Sequence, residues 1–118
     1  MAYPKHMDDT EAKIVSAIIA SAFALDYVVS IYDGEEWSLK RSGDEDCVTA
    51  EIAATDMTIM SFRDSDGARI GQVLLVHGNG TDLVSDHTDC PEMVDLLADA
   101  ETLAEALDAA YWARQGVA

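Results

Sequence analysis

The spacing of the hydrophobic residues changes twice along this chain, and the two changes constrain the fold more than any other feature. Near the N-terminus apolar residues follow helical spacing, which predicts a helix over about residues 10–26. Between residues 28 and 86 they occur in short β-branched runs separated by polar turns such as Asp33-Gly34. After Pro91 the helical spacing returns. The pattern predicts an α+β fold, in which an N-terminal helix and a C-terminal helix or helix pair pack on one face of an antiparallel meander sheet of about five strands, as a two-layer sandwich.

Six segments of the middle region have strand-like patterns and account for five or six predicted strands. They lie at residues 28–32, 37–40, 48–52, 57–63, 69–77 and 82–86. Residues 48–52 are included because their apolar and polar residues alternate, so that Val48, Ala50 and Ile52 share one face. Short polar turns between successive strands favour antiparallel neighbours in sequence order.

The last predicted helix leaves two alternatives open. Its apolar residues are spaced 4, 3, 4, 3 and 4 apart, at Met93, Leu97, Ala100, Ala104, Leu107 and Tyr111. An N-cap at Asp99 would divide the region into two helices. The same spacing fits a coiled-coil partner, but barely three heptads are short for one, so packing on the chain's own sheet is favoured.

The length of 118 residues suits a single domain, predicted over residues 10–115 after a loose lead-in at residues 1–9. Hydrophobic residues make up 49% of the chain, which is enough to form a core. The longest apolar run, from Ile14 to Leu25, is too short to cross about 30 Å of hydrocarbon. Acidic residues ahead of it are unlike the positive segment of a signal peptide. We therefore expect a cytoplasmic protein.

Residues that could hold a metal or carry catalysis are few. The weak metal candidates are His77, Asp82, Asp86 and His87. Asp86 and His87 are adjacent, and neighbours on a strand point to opposite faces, so these side chains are not expected to converge. The two cysteines, Cys47 and Cys90, lack CxxC spacing and are expected to be reduced, with a single disulfide as the alternative. We expect no enzyme, catalytic residue or cofactor; a small metal-dependent hydrolase is the least favoured function.

The charge of the chain is the most informative feature for function. There are 23 acidic and 7 basic residues, giving a net charge of −16. From residue 82 onward only Arg114 is basic. This excess argues against direct binding to nucleic acid or to an anionic membrane, both of which require Lys and Arg. A solvated, solubilising surface is the simplest explanation.

The alternative explanation of the charge is recognition of a basic protein surface. Charge complementarity would steer association with a nuclease or another nucleic-acid-binding protein. The residues expected to carry it are Asp44, Glu45, Asp46, Glu51, Asp95, Asp99, Glu105 and Asp108. Small acidic α+β proteins include phage-type inhibitors that mimic nucleic acid. The analogy with them rests on charge and size only. A non-enzymatic inhibitor of this kind is the predicted function.

A second binding hypothesis rests on aromatic residues instead of charge. Tyr32, Trp37 and Trp112 are candidates for an exposed anchor, because aromatic side chains dominate binding hot spots. An accessory or structural module would use this patch, or would form a homodimer through the C-terminal helix. The protein is accordingly expected to be a monomer or a homodimer.

Overall fold

The computed structural model describes residues 9–33, 35–52, 57–77, 81 and 83–114. The predicted lead-in at residues 1–9 therefore lies outside the described residues except for Asp9, which begins the first helix. In chain order the elements are α1 (Asp9–Ala24), β1 (Val28–Tyr32), β2 (Trp37–Ser42), α2 (Glu45–Glu51), β3 (Met57–Arg63), β4 (Arg69–Val76), β5 (Val84–His87) and α3 (Pro91–Arg114). The predicted α+β class is confirmed.

The strand prediction for residues 48–52 is wrong, because this segment belongs mainly to the short helix α2. Asp44 is its N-cap, and the carboxylate accepts hydrogen bonds from the N–H groups of Asp46 (2.9 Å) and Cys47 (3.4 Å). Val48 and Ile52 are four residues apart, a spacing that suits a helix as well as a strand, and both are fully buried. The capping carboxylate thus favours the helical conformation.

The sheet has the order β2-β1-β3-β4-β5, with every neighbouring pair antiparallel. It differs from a simple meander at one place, since β3 pairs with β1 and not with β2. The chain leaves β2 at one edge, passes through α2 and returns beside β1. This return places β1 and β3 side by side, which matters for the site described below.

The core lies between the sheet and a layer of three helices, here called the helical layer. Helix α1 contacts both α2 and α3 and so lies between them. Its buried side chains include Ile14, Ile18 and Ile19. Opposite them, the sheet contributes alternate residues of three adjacent strands: Val29 and Ile31, Met60 and Phe62, Val73 and Leu75. Burial of this single apolar surface drives formation of the two layers.

Helix α3 is one continuous helix, so the alternative of two helices meeting at Asp99 is not observed. Its buried residues in the described range are Met93, Leu96, Leu97 and Ala100. Met93 packs so closely over β4 that a Cβ added to Gly71 would lie 2.6 Å from its Cγ atom. An added Cβ at this strand position would therefore force the Met93 side chain to move.

The other side of the sheet, here called the open face, is covered by no helix within the described residues. Half-buried apolar side chains such as Tyr32, Ile59 and Leu74 lie on this face, and they alternate along their strands with the core residues. An antiparallel sheet tolerates one solvated face. Candidate sites on this protein therefore divide between the helical layer and the open face.

Candidate functional site

The structure separates the eight predicted acidic residues into two groups. Asp44, Glu45, Asp46 and Glu51 lie on α2 or at its N-cap, and Asp95, Asp99, Glu105 and Asp108 lie on α3. All are exposed except Glu51, which is half-buried. Helix α1 lies between the two helices, and its exposed residues carry no net charge, so the two groups flank a neutral ridge: Asp9, Lys13, Ser16, Ala20 and Ala24.

On α3 the carboxylates form two rows that follow one another along the helix and lie on different sides of an exposed ridge of small residues. The first row is Glu92, Asp95 and Asp99, and the second is Glu101, Glu105 and Asp108, each with helical spacing. Between them lie Ala98, Thr102, Ala106 and Ala109, all exposed. The second row also borders a groove beside β5, where Thr81 donates a hydrogen bond of 3.4 Å to Asp108.

Carboxylates of the first row affect the pKa of Tyr27, which lies just after α1. Burial raises the pKa of Tyr27, and the negative charges of Glu92, Asp64 and Asp95 raise this pKa further. Tyr27 therefore stays protonated at neutral pH and adds no charge to the surface. The electrostatics of α3 at this end come from its carboxylates alone.

Two of the three predicted aromatic anchor residues lie together at the β1–β2 edge. Tyr32 and Trp37 are cross-strand partners, and their rings meet edge to face with centroids 5.3 Å apart. The Trp37 side chain is 41% exposed, whereas Tyr32 is half-buried. The Trp112 side chain lies outside the described residues.

His77, at the end of β4, is buried in a polar network. Its Nε2 atom is 2.8 Å from the Thr58 hydroxyl, and its Nδ1 atom is 3.4 Å from the Glu11 carboxylate. A hydroxyl, an imidazole and a carboxylate in line are the groups of a hydrolytic triad. Here, however, the side chains of Glu11 and His77 are fully buried, and Thr58 is 1% exposed. The arrangement therefore favours a structural network that ties α1 to β3 and β4.

The remaining metal candidates do not join His77. Asp86 is exposed at the β5 edge, and the neighbouring His87 ring lies with Nδ1 2.9 Å from the Thr88 carbonyl oxygen. The Asp82 side chain is outside the described residues. Among the side chains that the structure describes, no three His, Cys, Asp or Glu groups lie close enough to hold a metal ion.

Both cysteines are free thiols, on separate elements. Cys47 is exposed in the first turn of α2, where the negative charge of Asp44 raises its pKa, with further contributions from burial and from a hydrogen bond to Asp44. A catalytic or redox cysteine requires the opposite shift, since the thiolate is the reactive form. Cys47 therefore lacks the electrostatic setting of a nucleophile.

The four cations of the strands are the feature that the sequence analysis missed. Lys40, Arg41, Arg63 and Arg69 border one pocket of about 240 Å³ on the open face, here called the basic pocket. They come from three strands spread over thirty positions of the chain, so that counting charge by segment hides them. The available signal was that Lys40 and Arg63 follow core residues on their strands and hence face away from the helices.

The helices of the described ranges include none with the length and apolar character needed to cross a membrane.

Comparisons with known proteins give no further guide. No family model, curated protein or solved structure matches this chain.

Proposed function

We propose that this protein is a non-enzymatic binding protein that engages the basic surface of a nucleic-acid-binding protein through α3. The two acidic rows of α3 are the observation that supports it. Six carboxylates lie between Glu92 and Asp108, and the sequence contains no Lys or Arg on α3 before Arg114. The exposed ridge of small residues between the rows leaves both rows accessible to a partner.

The spacing of these charges is close to that of a phosphate backbone. At about 1.5 Å per residue, six charges over this part of α3 give one per about 5 Å of axis. A single DNA strand presents one per about 3.4 Å. A groove lined with Arg and Lys would therefore meet a comparable charge density on α3, and occupation of that groove would exclude nucleic acid. The acidic residues of α2 and its N-cap provide a second contact for a partner that is large enough to reach both helices.

Inhibition of a nuclease in the cytoplasm, of the kind used by phages and mobile elements, is the biological form of this proposal. Direct binding to nucleic acid or to an anionic membrane is not part of it, because the helical layer would repel both. Association is expected to be fast at low salt and to slow as salt screens the steering charges.

The experiment is a comparison of three baits in native host lysate. The first is the wild-type protein; the second carries Asp95→Asn, Asp99→Asn, Glu105→Gln and Asp108→Asn. The third loses the same charge from turns and loops, by Asp26→Asn, Glu35→Gln, Glu36→Gln and Asp66→Asn, all exposed positions. Bound proteins are eluted with a salt gradient and identified by mass spectrometry, and the captured protein is then competed with DNA.

The proposal predicts that one basic nucleic-acid-binding protein is captured by the wild-type and control baits but not by the α3 variant, and that DNA displaces it. Equal capture by all three baits would mean that net charge alone attracts the partner. Recovery of the bait alone would leave the acidic surface with a solubilising role.

A second candidate function, docking through the aromatic patch, is favoured by the exposure of Trp37 beside Tyr32. Light scattering of the wild type and of Trp37→Ala tests it. A dimer that the substitution converts to a monomer would support this function, and a wild-type monomer would argue against self-association.

A further inference from the structure

Positive charge on this protein is concentrated at one place, away from the acidic helices. Four of its seven Lys and Arg residues border the basic pocket on the open face. Lys40 and Arg41 come from β2, Arg63 from β3 and Arg69 from β4. The return of β3 beside β1 creates this arrangement, since it brings the β2 cations within one strand of Arg63.

None of these four cations forms an ion pair with a carboxylate in the part of the chain that the structure describes. Within the described residues, the one side-chain hydrogen bond that they make runs from Arg63 Nη1 to the Gly67 carbonyl oxygen in the adjoining turn, at 2.9 Å. In a chain with 23 acidic residues, neighbouring carboxylates would readily neutralise a cluster that served only the fold. The positive charge is therefore left available to a ligand.

The local backbone geometry keeps these four cations close together although they repel one another. Arg63 and Arg69 are Cα partners across β3 and β4, next to a register shift at Phe62–Arg63, and both border the same pocket, which is unfavourable for like charges. Arg41 has a φ angle of 49°, in the left-handed region, where the β1–β2 register shifts. Its N–H donates a 2.9 Å hydrogen bond to the Ser30 hydroxyl. Backbone conformations of this kind are often found at functional sites.

The floor of the basic pocket is a polar row across three strands. Ser30, Ser61 and Gln72 are successive cross-strand partners on β1, β3 and β4. Ser61 is 7% exposed, and its hydroxyl makes no hydrogen bond to any described residue. The Gln72 side chain likewise makes none within the described chain. Hydrogen-bond donors without partners, surrounded by cations, provide what a phosphate oxygen requires.

The surroundings of the pocket favour a small anion over a large one. Screening at physiological salt limits electrostatic interactions to about 8 Å, so a small ligand is influenced chiefly by the four local cations. A long nucleic acid or a second copy of this chain would bring its negative charge near the acidic turns and helices as well. A volume of about 240 Å³ also suits part of a small molecule.

Trp37 adds an aromatic surface to the same pocket. Its indole is held by the edge-to-face contact with Tyr32 and remains 41% exposed. Stacking on such a ring stabilises a bound base by about 1–3 kcal/mol. A ligand that combines a phosphate with a flat heterocycle would use both the cations and the indole.

We infer that the basic pocket binds a nucleoside monophosphate. The phosphate lies over the Ser30–Ser61–Gln72 floor between the cations, and the base stacks against Trp37. This inference concerns the open face and is independent of the function proposed for α3.

The test is titration with adenosine monophosphate, followed by calorimetry and by amide and indole NMR in a buffer with about 0.15 M NaCl and without phosphate or sulfate. Ribose 5-phosphate, inorganic phosphate, adenosine and a single-stranded oligonucleotide serve as comparison ligands. Arg69→Gln removes a cation of the pocket, and Lys13→Gln removes one charge from the helical layer as the matched control. Ser61→Ala is compared with Ser85→Ala, an exposed serine of β5.

The expected result is saturable binding of the nucleotide that shifts the resonances of Ser61, Gln72 and the Trp37 indole. Arg69→Gln should weaken it by about tenfold or more, as expected for a charge-assisted hydrogen bond. Ser61→Ala should weaken it as well, whereas Lys13→Gln and Ser85→Ala should leave it unchanged.

Four results would overturn the inference. The first is that the nucleotide does not bind at millimolar concentration, and the second is that Arg69→Gln and Lys13→Gln weaken binding equally. The third is that inorganic phosphate or adenosine binds as tightly as the nucleotide. The fourth is that the oligonucleotide binds more tightly than the nucleotide. Folding of each variant is checked by its amide spectrum, so that a lost site is distinguished from a lost fold.

Discussion

Arg63 in β3 and Arg69 in β4 are cross-strand partners that border the same pocket, so two positive side chains are neighbours on the open face of a strongly acidic protein. Like charges in this position destabilise a sheet by about 0.2–1 kcal/mol. The pair is thus unfavourable for the fold while concentrating positive charge at the basic pocket. This conflict between stability and charge placement can be measured on the free protein.

We predict that Arg69→Gln increases the free energy of unfolding relative to Lys13→Gln by about 0.2–1 kcal/mol. Both substitutions remove one positive charge, so the comparison cancels the effect on net charge. Arg69 is preferred to Arg63 because Arg63 also donates a hydrogen bond to Gly67. Urea denaturation of the two variants is the measurement, and a lower stability for Arg69→Gln would show that the opposed pair causes no strain.

A second prediction concerns the close approach of α3 to β4. Gly71→Ala should lower the free energy of unfolding by about 1–3 kcal/mol, because the new Cβ would lie 2.6 Å from Met93 Cγ and 2.9 Å from its Sδ. Gly43→Ala is the matched control, since no atom lies within 4 Å of its added Cβ. Equal unfolding midpoints for the two variants in urea would contradict the packing described here.

How far the sequence predicts this fold depends on whether local or distant residues decide each element. Strand β3 has the predicted bounds, Met57–Arg63, because its alternation and flanking turns are local. The α2 segment was assigned wrongly because the spacing of Val48 and Ile52 suits both conformations, and the Asp44 cap that favours the helix lies just outside the segment. Pairing of β1 with β3 depends on contacts between distant residues, which periodicity does not report.

The same distinction applies to the sites. Acidic residues of α3 could be placed on its exposed surface because one helical period fixes their direction. The basic pocket could not be found in this way, since Lys40, Arg63 and Arg69 come together only after four strands, β2, β1, β3 and β4, have paired. Net charge even pointed away from it, because the segment 40–69 that contains the four cations also contains seven acidic residues.

A third prediction follows from the raised pKa of Cys47. The charge of Asp44 is the main cause, so Asp44→Asn should lower this pKa and increase the thiolate fraction at a given pH. Asparagine still caps α2, which keeps the helix intact. Rates of Cys47 alkylation by iodoacetamide between pH 6 and 10, followed by peptide mass spectrometry, should rise at a lower pH in this variant. An unchanged profile, or the same shift in Asp66→Asn, would exclude the local charge effect.

A fourth prediction concerns the net charge of −16. Increasing NaCl from 0.1 to 1 M shortens the Debye length from about 10 Å to about 3 Å and weakens repulsion between the carboxylates. The melting temperature should therefore rise with salt. It should rise less in the variant with substitutions at Asp26, Glu35, Glu36 and Asp66, which has four fewer negative charges. A larger salt response in that variant would show that repulsion does not limit stability.

The last prediction tests whether the buried polar network stabilises the fold. Thr58→Val preserves the shape of the side chain but removes the hydroxyl that lies 2.8 Å from His77 Nε2, so the buried imidazole loses this contact. We expect a loss of about 1–3 kcal/mol in the free energy of unfolding. Thr49→Val is the control, because Thr49 is also buried, at 2% exposure, but its hydroxyl donates only to the Glu45 carbonyl of its own helix. That bond contributes little, so this control should lose less than about 1 kcal/mol. Equal losses would mean that the Thr58–His77 contact adds nothing beyond packing, and α1 would then be held to the sheet by its apolar side chains alone.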